Sequence, residues 1–238
     1  MLKILMLIIT LSIALSANDI LEKIDRNLTP TSAKMYKKLI NIEPDGSKKE
    51  FLMFQAKKDK DKMVSLFLAP DSEKGRATLR LGDNMWLYIP NVGRPLRITS
   101  MQSVVGGVFN NADIMKLDFS TEYSVVKQEE KDEYILLDLK AKNETVSYDK
   151  LLMQVDKKTI TPIQIECYTS TQMLIKTLYY KKPKNFGDGI VRPSVIETNS
   201  PMYKGFKSIM IYGEITKKKF SDEAFTLDNL SKVSDLRR

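Results

Sequence analysis

Most of the chain has a hydrophobic period of two, the pattern of strands in a β-sheet. Turn signals such as Asp45-Gly46, Asp83-Asn84 and 187–189 separate the strand-like runs. The runs do not alternate with helices, which argues against βαβ units and predicts one antiparallel sheet of about ten strands. The predicted strands are 51–56, 63–68, 77–81, 85–89, 123–127, 133–141, 146–156, 160–168, 173–180, 191–198 and 206–215.

Two stretches have helical rather than strand-like patterns. Residues 18–28 place apolar side chains on one stripe and end before Pro30, which predicts an amphipathic helix. Residues 110–117 predict a short helix capped by Asn110 or Asn111. The apolar stretch 101–109 before it is expected to pack on the sheet or to line its opening. The stripe of the first helix consists of Ile20, Leu21, Ile24 and Leu28.

Some predicted strands are apolar on both faces, for example 134–137. A sheet with one solvated face shows a cleaner alternation. Two explanations remain open: the sheet closes toward a barrel, or helices and a ligand cover its second face. We find no change of composition that would divide residues 18–238 into two domains.

The N-terminus has the pattern of a secretory signal peptide, predicted to span residues 1–17. Lys3 precedes an apolar run, 4–15, and small residues follow at the expected cleavage site. The run is shorter than the roughly 20 residues that a membrane-spanning helix needs. We therefore predict cleavage, export to the periplasm and a soluble mature protein.

Composition limits the chemistry. The chain has no His, which removes the commonest general base and transition-metal ligand. Its single cysteine, Cys167, lies in an apolar strand and is interpreted as a small core residue. The net charge is +8, but lysines are spread among acidic residues, so nucleic-acid binding is not expected. We predict a non-enzymatic protein with no catalytic residue, no metal and no cofactor.

Residues 79–90, LRLGDNMWLYIP, predict a β-hairpin. If Asp83-Asn84 is a two-residue loop, Leu81 lies opposite Trp86 and Leu79 lies opposite Tyr88. All four side chains then share one face of the sheet.

This hairpin resembles the LolA-like family of outer-membrane lipoprotein-sorting proteins, the LolA/LolB/LppX-type superfamily. That family has a strand ending in Pro, a Gly-containing turn, an aromatic-x-Tyr strand and a second Pro. Segments 106–114 and 220–227 resemble the family as well, so the resemblance covers nearly the whole of residues 18–238. The matching residues of the hairpin region are Pro70, Gly82, Trp86, Tyr88 and Pro90.

The resemblance implies a mainly β (α+β) fold, a single curved antiparallel half-barrel of about ten to eleven strands with helices covering the concave face. It implies a periplasmic carrier or binding protein for lipid or lipoprotein acyl chains. The expected cargo is lipid or an acylated lipoprotein, and the expected partners are an inner-membrane transporter or an outer-membrane acceptor. We expect a monomer. The predicted lipid-binding residues are Leu66, Leu79, Leu81, Trp86, Tyr88 and Leu136.

Three alternatives stay open, one of which is a hydrolase that would use an unrecognised serine or carboxylate site. The lipoprotein carriers of this family have a basic residue before the first Pro, whereas this chain has Ala69, so another hydrophobic cargo is an equal candidate. The third alternative is a LolA-like protein-interaction or envelope-sensor module, which binds a protein partner rather than lipid.

Overall fold

One open, curved antiparallel sheet dominates the computed structural model, which describes residues 17–238. The predicted signal peptide, apart from Ala17, lies outside the described residues. No helix between residues 17 and 238 combines the length and the hydropathy of a bilayer-spanning segment.

The elements follow the chain in an α-β-α-β order. The helices are α1 (Ala17–Leu28), α2 (Asn111–Ile114) and α3 (Phe119–Glu122), and two 3₁₀ helices follow at Asp222–Phe225 and Leu230–Arg237. The strands are β1 (Ala33–Ile42), β2 (Lys48–Lys58), β3 (Lys62–Ala69), β4 (Ala77–Leu81), β5 (Asn84–Tyr88), β6 (Leu96–Ile98), β7 (Tyr123–Glu130), β8 (Tyr134–Ala141), β9 (Lys150–Asp156), β10 (Pro162–Tyr168), β11 (Leu174–Asn185), β12 (Val191–Asn199) and β13 (Lys207–Lys217).

The sheet consists of two meanders joined at one strand pair. Its order is β6-β5-β4-β3-β2-β1-β13-β12-β11-β10-β9-β8-β7, so β1 pairs with β13 at the junction. The sheet has 13 strands, and the predicted number of ten to eleven was wrong. The missed strands are β1, which lysines interrupt, and β6, which has only three residues.

The two faces of the sheet bury separate hydrophobic cores. The inner face carries α1, α2 and α3, and its core draws side chains from strands along nearly the whole sheet. The apolar stripe predicted for the first helix is confirmed, because Ile20, Leu21, Ile24 and Leu28 are all buried in this core. Helices covering the inner face therefore account for the apolar side chains on that side of the strands.

The outer face has a smaller core over β2, β3 and β4, which we call the outer cluster. The C-terminal 3₁₀ helices cover it with apolar side chains, and Phe225 is only 2% exposed. The cluster consists of Phe54, Ala56, Val64, Leu66, Ala77, Leu79, Phe225, Leu230 and Val233.

The β4–β5 hairpin has a different register from the predicted one. Leu79 lies opposite Trp86, and Leu81 lies opposite Asn84, so the loop is Gly82-Asp83. Gly82 has φ +53°, a conformation that glycine adopts readily. The predicted pairing was wrong by two residues. The face assignment was right, because a shift of two preserves the side-chain alternation.

Candidate ligand cavity and its buried cationic centre

Residues 99–122 cross the inner face and carry α2 and α3; we call them the cover segment. Buried side chains of the sheet hold its backbone: Gln55 Nε2 donates to the carbonyl of Ile114 at 2.9 Å, and Arg80 Nη1 donates to that of Met115 at 3.0 Å. Asn110 caps α2 and forms a capping box with Asp113. Of the two caps predicted from the sequence, Asn110 is therefore confirmed. The cover segment is thus fixed by polar contacts more than by its own helices.

Helix α1 and the cover segment are joined through one carboxylate. Asp25 accepts hydrogen bonds from the backbone N–H groups of Phe119 at 2.7 Å and Ser120 at 2.9 Å, at the start of α3. Burial raises the pKa of Asp25, while the nearby Lys116 ammonium partly opposes the rise. The buried carboxylate replaces its lost hydration with these two donors.

A cavity lies between the cover segment and strands β9 to β13, and it has a volume of about 50 Å³. For comparison, an engineered apolar cavity of about 150 Å³ binds benzene. The side chains of the inner face therefore fill most of the space in this conformation. The apolar part of the lining is Phe109, Ala112, Phe119, Leu151, Ile165, Cys167, Leu178, Ile196 and Met210.

A polar network closes one end of this cavity. The Tyr148 hydroxyl donates to Asp113 at 2.9 Å and accepts from Asn110 Nδ2 at 2.9 Å. Lys176 Nζ forms an ion pair with Asp113 at 2.8 Å, and both side chains are almost fully buried. Each charged group here has a partner, which is the usual condition for burying it.

A second cavity of about 30 Å³ adjoins the first, and its walls are strongly basic. The two cavities share Lys116, Tyr180, Ile196 and Tyr212 in their linings. We call Lys37, Lys116 and Arg192 the basic centre. Among residues 17–238, none of the three forms an ion pair with a carboxylate within 4 Å.

The basic centre surrounds the ring of Tyr212. Lys37 Nζ is 4.7 Å from the ring centroid, and the guanidinium carbon of Arg192 is 3.9 Å from it. Lys37 and Arg192 are 4% and 3% exposed. Such cation–π contacts partly compensate for lost hydration. They do not neutralise the charge.

Burial and like charges shift the protonation of this centre. Burial lowers the pKa of Lys37 and of Lys116. Burial alone would raise the pKa of the Tyr212 phenol, but Lys37 and Arg192 outweigh it and lower that pKa to about 7. Lys37 and Tyr212 therefore titrate as a coupled pair.

The six residues predicted to bind lipid lie on the outer face. Leu66 and Leu79 are buried in the outer cluster, and Leu81, Trp86 and Tyr88 pack against it. Leu136 lies on the opposite side of β8 from Ile135 and Leu137, which face inward. None of the six lines either inner-face cavity, and contact between them and a lipid stays a prediction.

The residues of the basic centre were missed by sequence reasoning. Lys37 lies on the inner face of β1, in register with Met35 and Leu39, and is directly opposite Tyr212 in β13. A lysine at an apolar position of an alternating strand was the available signal. It was overlooked because β1 was not predicted as a strand.

An open curved sheet, helices over its inner face and an apolar cavity between them define the LolA-like class of proteins. A LolA superfamily protein from Nitrosomonas europaea is 27% identical, with a TM-score of 0.81 over 90% of this chain and 99% of that chain. A domain from Vibrio parahaemolyticus, described as belonging to an outer membrane lipoprotein-sorting protein, is 18% identical with a TM-score of 0.75 over 90% of this chain and 98% of that one.

A DUF1329 family protein from Desulfovibrio piger is 20% identical with a TM-score of 0.76, over 90% of this chain and 97% of that chain. A family model described as "Uncharacterized protein" matches residues 59–232, more than half of the chain, and the chain belongs to that family. The resemblance to the LolA-like family predicted from the sequence is confirmed. None of the curated proteins matches the sequence.

Proposed function

We propose that this protein is a non-enzymatic, periplasmic carrier or binding protein for the acyl chains of lipids or lipoproteins. The observation that carries the proposal is the apolar cavity between the inner face and a cover built from short helices. The similarity to a LolA superfamily protein and to a lipoprotein-sorting domain supports it. We propose that cargo passes between this protein and an inner-membrane transporter or an outer-membrane acceptor.

Carriage requires the cavity to grow. Pockets that enclose drug-sized ligands measure about 300–1,000 Å³, whereas the present cavity measures about 50 Å³. Helices α2 and α3 have four residues each, far fewer than a helix needs to be stable in isolation. We infer that the cover segment, α1 or both move away from the sheet as the tail enters.

Apolar burial supplies the driving force for that movement. Burying one methylene yields about 0.8 kcal/mol, so a chain of about 14–16 carbons gains roughly 10 kcal/mol before ordering and association are subtracted. The contacts to be broken include the Gln55 hydrogen bond to the cover segment, worth about 1 kcal/mol net, and the two hydrogen bonds to the Asp25 carboxylate, which stabilise it by about 1–3 kcal/mol. Because the gain grows with chain length, opening is more favourable for a long acyl chain than for a short one.

Native mass spectrometry of protein purified from its own cell envelope tests the proposal. We expect discrete mass adducts that lipid extraction identifies as acyl-bearing molecules, and saturable uptake of a fluorescent fatty acid by delipidated protein. Repeated recovery of lipid-free protein, together with no uptake of the fluorescent fatty acid, would contradict carriage.

Cys167 offers a reporter inside the cavity wall. It is the single cysteine of the chain, it is 1% exposed, and burial raises the pKa of its thiol. Alkylation by a thiol reagent should be slow in the empty protein and slower still when fatty acid fills the cavity. Cys167→Ser is the control for reaction at other groups. An unchanged alkylation rate with bound fatty acid would place the lipid outside this cavity.

The alternative function is a protein-interaction or envelope-sensor module. The small volume of the cavity favours it, because a receptor for a protein partner has no need of an internal space. A pull-down from envelope extract that returns one stoichiometric protein, with no lipid adduct on either chain, would support this alternative over carriage.

A further inference from the structure

The second cavity has more positive than negative charge in its walls. Four cations, Lys37, Lys57, Lys116 and Arg192, face two carboxylates, Asp25 and Asp118. Lys57 pairs with Asp118, and Asp25 caps α3. Even if the Tyr212 phenol is ionised, four cations face three anions.

The unpaired cations lie at the centre of the sheet. Lys37 on β1 is opposite Tyr212 on β13, and Arg192 lies on the next strand, β12. Arg192 donates hydrogen bonds to the neutral oxygens of Leu28, Thr29 and Pro193, and a hydrogen bond to Tyr212 helps to lower the pKa of that phenol. Lys116 reaches the same cavity from the cover segment, where it donates to the carbonyl of Leu117 at 3.2 Å.

Elsewhere on the inner face, buried cations have carboxylate partners. Lys176 pairs with Asp113, and Arg80 pairs with Glu122. A buried charge without a counter-ion is strongly unfavourable, so folded proteins pair it, shift its pKa toward the neutral form or bind an ion. The cations of the basic centre have no such carboxylate partner, and the cavity they line shares lining residues with the apolar cavity.

We propose that the basic centre binds the anionic headgroup, a carboxylate or a phosphate, of a single-chain amphiphile whose tail enters the adjoining apolar cavity. This inference rests on the proposed function and narrows its cargo to negatively charged amphiphiles. Lys37 and Arg192 supply donors to the headgroup oxygens from the sheet, and Lys116 supplies one from the cover. Charge-assisted hydrogen bonds of this kind are stronger than neutral ones.

Two ligands with the same tail test the headgroup. Palmitate and 1-hexadecanol are titrated against the delipidated protein below their aggregation concentrations, with a fluorescent fatty acid as the displaced probe. We expect palmitate to bind about tenfold or more tightly than hexadecanol, because only palmitate brings the missing negative charge.

Neighbouring lysines on β1 give a matched pair of variants. Lys37→Met removes a cation of the basic centre, and Lys38→Met removes one on the outer face, where Lys38 pairs with Glu50 at 2.7 Å. The preference for palmitate should fall about tenfold in Lys37→Met and stay unchanged in Lys38→Met. Circular dichroism checks that each variant is folded, and Lys116→Met removes a second cation independently.

Each outcome separates the inference from the proposed function. Equal affinity for palmitate and hexadecanol in the unmodified protein overturns the headgroup site and leaves carriage standing. Binding of neither ligand overturns both. Displacement of the probe by inorganic phosphate alone, at the concentrations effective for palmitate, would indicate a site for free anions. That result would overturn the inference that the ligand is an amphiphile.

Discussion

Buried charges on the inner face fall into two groups that serve different purposes. Side chains that hold the cover segment are neutralised in place, as Lys57 is by Asp118 and Arg80 is by Glu122. The basic centre has no carboxylate within ion-pair distance and relies on Tyr212 and on backbone oxygens. The first group stabilises the position of the cover segment. The second group lacks negatively charged partners, and a bound anion can supply one.

Tyr212 should ionise near neutral pH. Because its folded-state pKa is about 7 and an unfolded tyrosine titrates near 10, the folded protein releases this proton first. An ultraviolet titration should show one phenolate forming with a midpoint of about 7, absent in Tyr212→Phe. Burial raises the pKa of Tyr123, Tyr148 and Tyr180, so these residues do not contribute in that range.

The same titration has a consequence for stability. Between pH 7 and 10 the unfolded chain binds the Tyr212 proton and the folded chain does not, so the free energy of unfolding rises with pH relative to Tyr212→Phe. Urea denaturation at several pH values measures this difference. If the difference in free energy of unfolding between the two proteins does not change from pH 7 to pH 10, the Tyr212 phenol stays protonated in the folded protein.

Lys37→Met should make the empty protein more stable. The substitution removes a buried cation that has no carboxylate partner and keeps a side chain of similar length. Removing a buried cation that has no carboxylate partner relieves its desolvation cost, and we expect a gain of about 1 kcal/mol. Urea denaturation at neutral pH checks this, and Lys38→Met should change stability by less than about 0.5 kcal/mol. A large loss of stability in Lys37→Met would mean that its charge is already compensated.

At the scale of elements, alternation predicted which face a side chain occupies better than it predicted its partner. The β4–β5 register was displaced by two residues, yet Leu79, Leu81, Trp86 and Tyr88 share one face as predicted. Strand β1 escaped prediction because Lys37 and Asn41 occupy inner positions where apolar residues were expected. Polar residues at a site thus obscure the periodicity of the strand that carries them.

Asp25 should control how readily the cover opens. Asp25→Ala removes the acceptor of two backbone N–H groups of α3, at about 1–3 kcal/mol of local stability. Hydrogen exchange should accelerate at Phe119 and Ser120, and alkylation of Cys167 should accelerate with it. Lys23→Ala, an exposed change on the same helix, should leave both rates unchanged. Unaltered exchange in Asp25→Ala would show that other contacts hold α3.

The outer cluster should contribute to stability and not to cargo binding. Phe225→Ala empties a position that is 2% exposed and should lower the free energy of unfolding by about 3–5 kcal/mol. Affinity for a fluorescent fatty acid should be unchanged in the fraction that remains folded. Loss of that affinity in folded protein would instead favour the six outer-face residues predicted to contact lipid.

At the scale of the whole molecule, the sequence predicted the architecture but not the site. One antiparallel sheet, α1, α2 and helices over the inner face all followed from local patterns and from the family resemblance. The basic centre depends on the pairing of β1 with β13 and of β13 with β12. Pairing between strands distant in sequence brings Lys37 of β1 beside Tyr212 of β13. No local pattern in β1 or in β13 indicates that these two residues are neighbours.

Binding should be limited by opening of the cavity. Because the cavity holds only about 50 Å³, a long acyl chain enters only after the cover has moved. Stopped-flow uptake of a fluorescent fatty acid should therefore reach a plateau rate as ligand concentration rises, and Asp25→Ala should raise that plateau. A rate that increases linearly over the whole accessible range would mean that the ligand enters without a prior opening step.

Among the strands of residues 17–238, the N-terminal and C-terminal meanders are hydrogen-bonded to each other where β1 meets β13. Lys37 and Tyr212 lie on either side of that line, with Arg192 one strand further on. An anion held by Lys37 and Arg192 would bridge the two halves of the protein. Pulling the meanders apart, for example with optical tweezers attached to each, would then require more force with the amphiphile bound than without it.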